Sequence, residues 1–117
     1  MSRRHEILPL WLEACRAMEP ERALEYAAPD FVFLDGALSE PVTREGFPDY
    51  LLGWESRMRA LGGTGRFEVT DEAMQDVDGV LIKYGWWQFT GTDVQGASLI
   101  KVTDDGVTVA KLAYYKP

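Results

Sequence analysis

Cysteine and histidine are nearly absent, with one of each in 117 residues. Cys15 has no second thiol for an intrachain disulfide, and with His5 alone it cannot build a zinc site. Basic residues are also scarce: 12 Lys and Arg face 19 Asp and Glu, a formal net charge of −7. A surface of that sign repels phosphate backbones and anionic headgroups, which argues against nucleic acid and membrane as partners. Long hydrophobic runs are missing as well. The apolar stretch after Met1-Ser2-Arg3-Arg4-His5-Glu6 is broken by Pro9 and Glu13, too early for a spanning helix or a signal-peptide core, so a reducing cytoplasm is the expected location. With no glycine-rich phosphate loop and no metal-ligand cluster, neither cofactor nor metal is implied. What remains is 46% hydrophobic and 26% charged residues, the composition of a soluble globular domain. Folding at this length hides roughly two-thirds of the chain's surface, enough for one core and too little for two. No repeat or linker interrupts residues 1–117, which read as a single domain.

Apolar spacing orders the first half. Ile7, Trp11, Cys15 and Met18 recur three or four residues apart and predict a helix from about Arg4 to Met18. Pro20 opens a second short helix that runs to Ala27, ahead of Pro29. Asp30–Asp35 is a β-branched and aromatic run ending at Gly36, and predicts a strand. Phe47, Leu51, Trp54 and Met58 predict a helix from Thr43, as N-cap, to Leu61, with Gly62-Gly63 ending it. The second half changes character. Arg66–Gln75, Val80–Thr90, Val94–Thr103 and Val107–Lys116 are four β-rich runs separated by Asp78-Gly79, Gly91-Thr92-Asp93 and Asp104-Asp105-Gly106. Consecutive hairpins make an antiparallel meander that twists and curls over strands of about ten residues. The expected class is α+β, three helices against one curved antiparallel sheet.

This element order resembles the NTF2-like superfamily along the whole chain. Its most specific part is Tyr26-Ala-Ala-Pro-Asp-Phe-Val-Phe-Leu-Asp35-Gly, continuing to Glu40-Pro41-Val-Thr-Arg-Glu-Gly46, which is similar to the segment of ketosteroid isomerases that holds their catalytic aspartate. The last hairpin, Lys101 to Tyr115 around Gly106, looks like that of the same superfamily. The resemblance implies a conical sheet wrapped around three N-terminal helices, an open-ended pocket, and dimerisation through the outer face. It puts Asp35 at the place of the general base, which removes a proton beside a substrate carbonyl. The family's two oxyanion donors are replaced: Trp11 stands where a helix tyrosine is expected, and Ser98 where a protonated aspartate is expected. An indole N–H and a hydroxyl still donate hydrogen bonds, though authentic steroid isomerisation is not implied.

Alternation along the last strand puts Val107, Val109, Lys111, Ala113 and Tyr115 on one face, and the resemblance makes that the pocket face. Lys83, beside Trp87 on the second meander strand, would join Lys111 there, unless a bulge at Gly85 inverts the parity. A cation in the pocket needs a counter-charge, either Asp35 or an anionic ligand. Asp35 before Gly36 also reads as a plain turn residue, Trp11 as core, Ser98 as a small residue fitted to the sheet and Cys15 as a buried hydrophobe. Trp86-Trp87 puts one large aromatic on each face. Together with Tyr114 or Tyr115, the outer one predicts a homodimer. Two functions follow: a cofactor-free enzyme of ketosteroid-isomerase-like or polyketide-cyclase-like type, acting on a small apolar or enolate-like carbonyl compound, or a non-catalytic ligand-binding or association domain. A void of roughly a few hundred cubic ångströms with Asp35 on its wall favours a small-molecule site, and a packed cone favours the association domain.

Overall fold

The computed structural model describes residues 3–116, with side chains as far as Tyr114. Helix α1 (Arg3–Arg16) is followed by α2 (Pro20–Leu24), strand β1 (Ala27–Asp35), the two-residue β2 (Val42–Thr43) and α3 (Phe47–Ala60). Four long strands complete the chain: β3 (Phe67–Val77), β4 (Val80–Phe89), β5 (Gln95–Thr103) and β6 (Gly106–Lys116). All six strands form one sheet in the order β2-β1-β6-β5-β4-β3.

The meander pairs antiparallel as expected, and Asp78-Gly79 closes its first hairpin with both residues at positive φ. The sheet as a whole is mixed. β1 lies parallel to β6, because the chain crosses from β1 through α3 and the meander before returning beside it. Thr43, expected as a helix cap, pairs in β2 with Val32; α3 starts later, where Pro48 is tolerated in the first turn. Helix α1 stops at Arg16, and Met18 takes φ 56 to turn the chain toward α2. Strand β1 begins at Ala27, earlier than expected, and loses register between Ala27 and Val32. There the Arg44 guanidinium donates to the Ala27 and Ala28 carbonyls at 3.0 and 3.1 Å, satisfying groups the ladder leaves open.

The helices cover one face of the sheet, called the inner face here. Trp11 from α1 packs on Phe31 and Phe47, and Trp54 from α3 makes edge contacts with Phe33 and Phe89. At its start α1 is fastened to two hairpin ends, since Arg4 contacts both Asp76 and Asp104 at 3.1–3.2 Å. Gly106 is required at the turn into β6: φ is +129, and a Cβ would lie 2.6 Å from the Ala28 backbone nitrogen. Among the described residues no helix is long and apolar enough to cross a membrane.

Strand β6 carries the main departure from the expected pattern. Val102 pairs with Val107, but Lys101 pairs with Val109, so Thr108 is an extra residue on β6. A bulge shifts the alternation by one. Val107 faces inward and is fully buried, and beyond the bulge the inward residues are Ala110 and Leu112. Lys111 is therefore on the outer face and exposed. The expectation that it points into the pocket is corrected: the bulge that inverts its parity lies on β6.

Candidate functional site

A cavity of about 50 Å³ lies between α1, α3 and the inner face of the sheet. Its wall is almost wholly apolar and includes Trp11 and Cys15 from α1, Leu51 and Trp54 from α3, and Trp87, Phe89 and Leu112 from the sheet. Partly exposed members of the lining, Leu12, Phe67, Val69 and Ser98, mark where it approaches the surface. Burial raises the Cys15 thiol's pKa and keeps it protonated.

Three polar features interrupt this wall. Trp87 donates its indole N–H to Ser98 Oγ at 3.1 Å. Gly96 makes that placement possible, since a Cβ there would lie 2.4 Å from the Trp87 ring. Lys83, 7% exposed, lines the cavity and pairs through Nζ with Glu72 Oε2 at 2.8 Å. Trp11 and Trp54 each bury an indole nitrogen that has no hydrogen-bond partner. The structure thus gathers Trp11, Ser98, Trp87 and Lys83 around one space. Lys111 lies outside it, and the side chain of Tyr115 falls outside the described residues.

Asp35 is 5% exposed but is not part of the cavity wall. Two residues of that wall adjoin it along the sheet, Phe33 two residues earlier on β1 and Leu112 opposite it on β6. One carboxylate oxygen, Oδ1, accepts the Ala37 N–H at 2.8 Å and closes the turn after β1. Oδ2 accepts the hydroxyl of Tyr50 and, at 3.4 Å, that of Tyr114. The tyrosine rings pack against cavity residues, Tyr50 on Phe33 and Trp54, and Tyr114 on Trp87. The Trp54 indole nitrogen lies near both hydroxyls without completing a well-directed hydrogen bond. Burial first, and then the carboxylate, raises the pKa of Tyr50, and the same two causes push Tyr114 up to about 12. Both phenols therefore remain proton donors at neutral pH.

Tyr50 and Glu72 were not singled out in the sequence, and Trp54 and Tyr114 were read there only as part of a helix stripe and of the outer face. Tyr50 stands four residues before Trp54, and that spacing could have found it. Tyr114 was assigned to the other face of β6. Among the described residues no three His, Cys, Asp or Glu side chains are grouped to hold a metal ion.

No protein-family model matches the sequence, and no curated protein is similar to it. Solved structures do match in fold. TerC, co-crystallised with polyporic acid, is similar with a TM-score of 0.70 at 16% identity, over 97% of this chain and 92% of its own. A Parabacteroides distasonis protein proposed to be a ketosteroid isomerase gives 0.68 at 15% identity, over 97% and 89%. A Shewanella putrefaciens protein proposed to be a SnoaL-like polyketide cyclase gives 0.67 at 15%, over 97% and 90%. Proteins of unknown function described as NTF2-like are similar too.

Proposed function

From the NTF2-like fold that the chain shares with these structures, we propose that it binds a small, flat, largely apolar carbonyl or enolate-like molecule between its helices and sheet. The proposal rests on one observation: Trp11 lines the cavity and buries an indole N–H that has no acceptor. An unsatisfied buried donor costs about 1–3 kcal/mol, and a ligand oxygen beside it recovers that loss. The Trp54 N–H offers a second donor, while the Trp87 N–H is already given to Ser98 Oγ. At about 50 Å³ the cavity is smaller than the ~150 Å³ that holds benzene in an apolar core. A ring therefore enters only as the partly exposed Leu12, Phe67 and Val69 part. TerC, co-crystallised with polyporic acid, supports a small organic occupant.

Titration with 4-nitrophenol, followed by tryptophan fluorescence, tests this. Saturable quenching is expected, and Trp11→Phe should weaken binding about 3–10-fold with the fold intact. Without saturable quenching, the non-catalytic association domain replaces this function.

A second function, proton transfer with Asp35 as general base, is favoured by the buried carboxylate that receives Tyr50 and Tyr114 beside Trp54. Asp35 does not line the cavity, so direct abstraction requires the Tyr50 hydroxyl to leave Oδ2 and the substrate to reach that oxygen beyond the present wall. Asp35 then takes the proton from carbon, and the indole donors stabilise the enolate oxygen. Asp35→Asn should lower turnover of any substrate by about 10²–10⁴ while binding persists. Loss of fold in that variant would make Asp35 structural. The exposed aromatics of the outer face, Tyr84 and Trp86, support a homodimer.

A further inference from the structure

We infer that the ligand is an anion, a carboxylate, enolate or phenolate on a flat apolar body, and that Glu72 holds the place of its charge on Lys83. This rests on the cavity binding proposed above. A lysine on the wall of an apolar cavity is expensive unless its charge is met, because the ammonium has left most of its water. Glu72 is the carboxylate that meets it among the described residues.

The pair is lopsided. The Lys83 side chain is 9% exposed, whereas that of Glu72 is 50% exposed. Glu72 comes from β3, an edge strand paired only with β4, just past the register shift between Val69 and Asp71. The preceding part of that strand supplies Phe67 and Val69 to the cavity lining. A half-solvated carboxylate on the edge strand thus reaches to an ammonium at the cavity wall. Moving Glu72 into water restores solvation it has only half lost. Lys83 cannot follow without giving up its packing on the wall. Exchange of Glu72 for a ligand anion keeps the ammonium paired, and the ligand's apolar body then occupies the space beside Trp11 and Trp87. No second cationic side chain lines the cavity among the described residues, so Lys83 alone sets the preference for negative charge.

Calorimetric titration with 4-nitrophenolate, above the phenol's pKa, and with nitrobenzene as its neutral counterpart tests the exchange. Wild type should prefer the anion. Glu72→Gln removes the internal competitor and should tighten 4-nitrophenolate binding about tenfold, with nitrobenzene unchanged. Lys83→Met should abolish the preference while nitrobenzene still binds, and Lys83→Arg should restore it. Glu72 is half exposed, so its variant decides the matter even where Lys83→Met fails to fold. Unchanged or weaker anion binding by Glu72→Gln overturns the inference and leaves cavity binding standing. Failure of both probes to bind wild type removes cavity binding itself, and this inference with it.

Discussion

Asp35 combines a turn role and a site role, one on each carboxylate oxygen. Oδ1 accepts the Ala37 N–H, as an aspartate before a turn commonly does, and Oδ2 accepts two tyrosine hydroxyls. Asp35→Ala leaves all three donors without an acceptor. Stability should fall by about 2–4 kcal/mol, read as a lowered urea midpoint with unchanged slope. Binding of 4-nitrophenol by the folded fraction separates this structural loss from loss of the site. The same cluster sets an alkaline limit. Tyr114 has a folded-state pKa of about 12 against an ordinary 10.0, and Tyr50 is raised as well. Between those values the unfolded chain loses phenol protons that the folded chain keeps, so stability is full below pH 10 and declines toward pH 12. Urea midpoints across that range should fall, and Tyr114→Phe should flatten the decline. A flat wild-type profile would mean the hydroxyls are not held against the carboxylate.

At the scale of elements, legibility follows the range of the interaction that sets each feature. The α1 stripe of Ile7, Trp11 and Cys15 is buried, and Asp78-Gly79 makes its hairpin, because side chains within one element or one turn decide these. Lys83 and Lys111 show where such reading fails. β4 alternates cleanly, so Lys83 faces inward with Trp87. On β6 the extra residue Thr108 reverses the alternation that Val107 begins. Nothing local marks that bulge, which is fixed by pairing on both flanks, with β5 on one side and β1 on the other. The parallel β1–β6 pairing and the cluster of Asp35 with Tyr50 and Tyr114 were hidden for the same reason, since the cluster joins residues 15 and 79 positions apart. Deleting Thr108 should therefore be tolerated, because it removes the extra residue and leaves Val107, Ala110 and Leu112 inward and Lys111 outward in unbroken alternation. Inserting one residue between Val109 and Ala110 should be far worse, since it drives Lys111 into the core and Leu112 out of it. The deletion should keep the cooperative thermal transition seen by circular dichroism, and the insertion should abolish it. An insertion variant that melts like wild type would show that the strand tolerates either parity.

For the molecule as a whole, the helices cover the inner face of the sheet, and the outer face keeps large aromatics in water. Tyr84 is 51% exposed and Trp86 46%. With Ala97, Leu99 and Lys111 near them, Tyr84 and its neighbours line a shallow outer groove. A second copy suits this surface chemically, because aromatic bodies can stack across a twofold axis while Lys111 remains at the rim. Charge opposes the association, since each chain carries −7 and salt screens repulsion between exposed charges. Sedimentation velocity should show a dimer at micromolar concentration that tightens as sodium chloride is raised. Trp86→Glu puts two further negative charges against each other across the axis and should leave monomers. It should not alter 4-nitrophenol binding, because Trp86 and Trp87 point to opposite faces and only Trp87 lines the cavity. A wild-type monomer at all salt concentrations would remove the dimer without touching the cavity. Loss of ligand binding in a monomeric Trp86→Glu variant would instead mean that the two faces are coupled through β4, the strand that carries Trp86, Trp87 and Lys83.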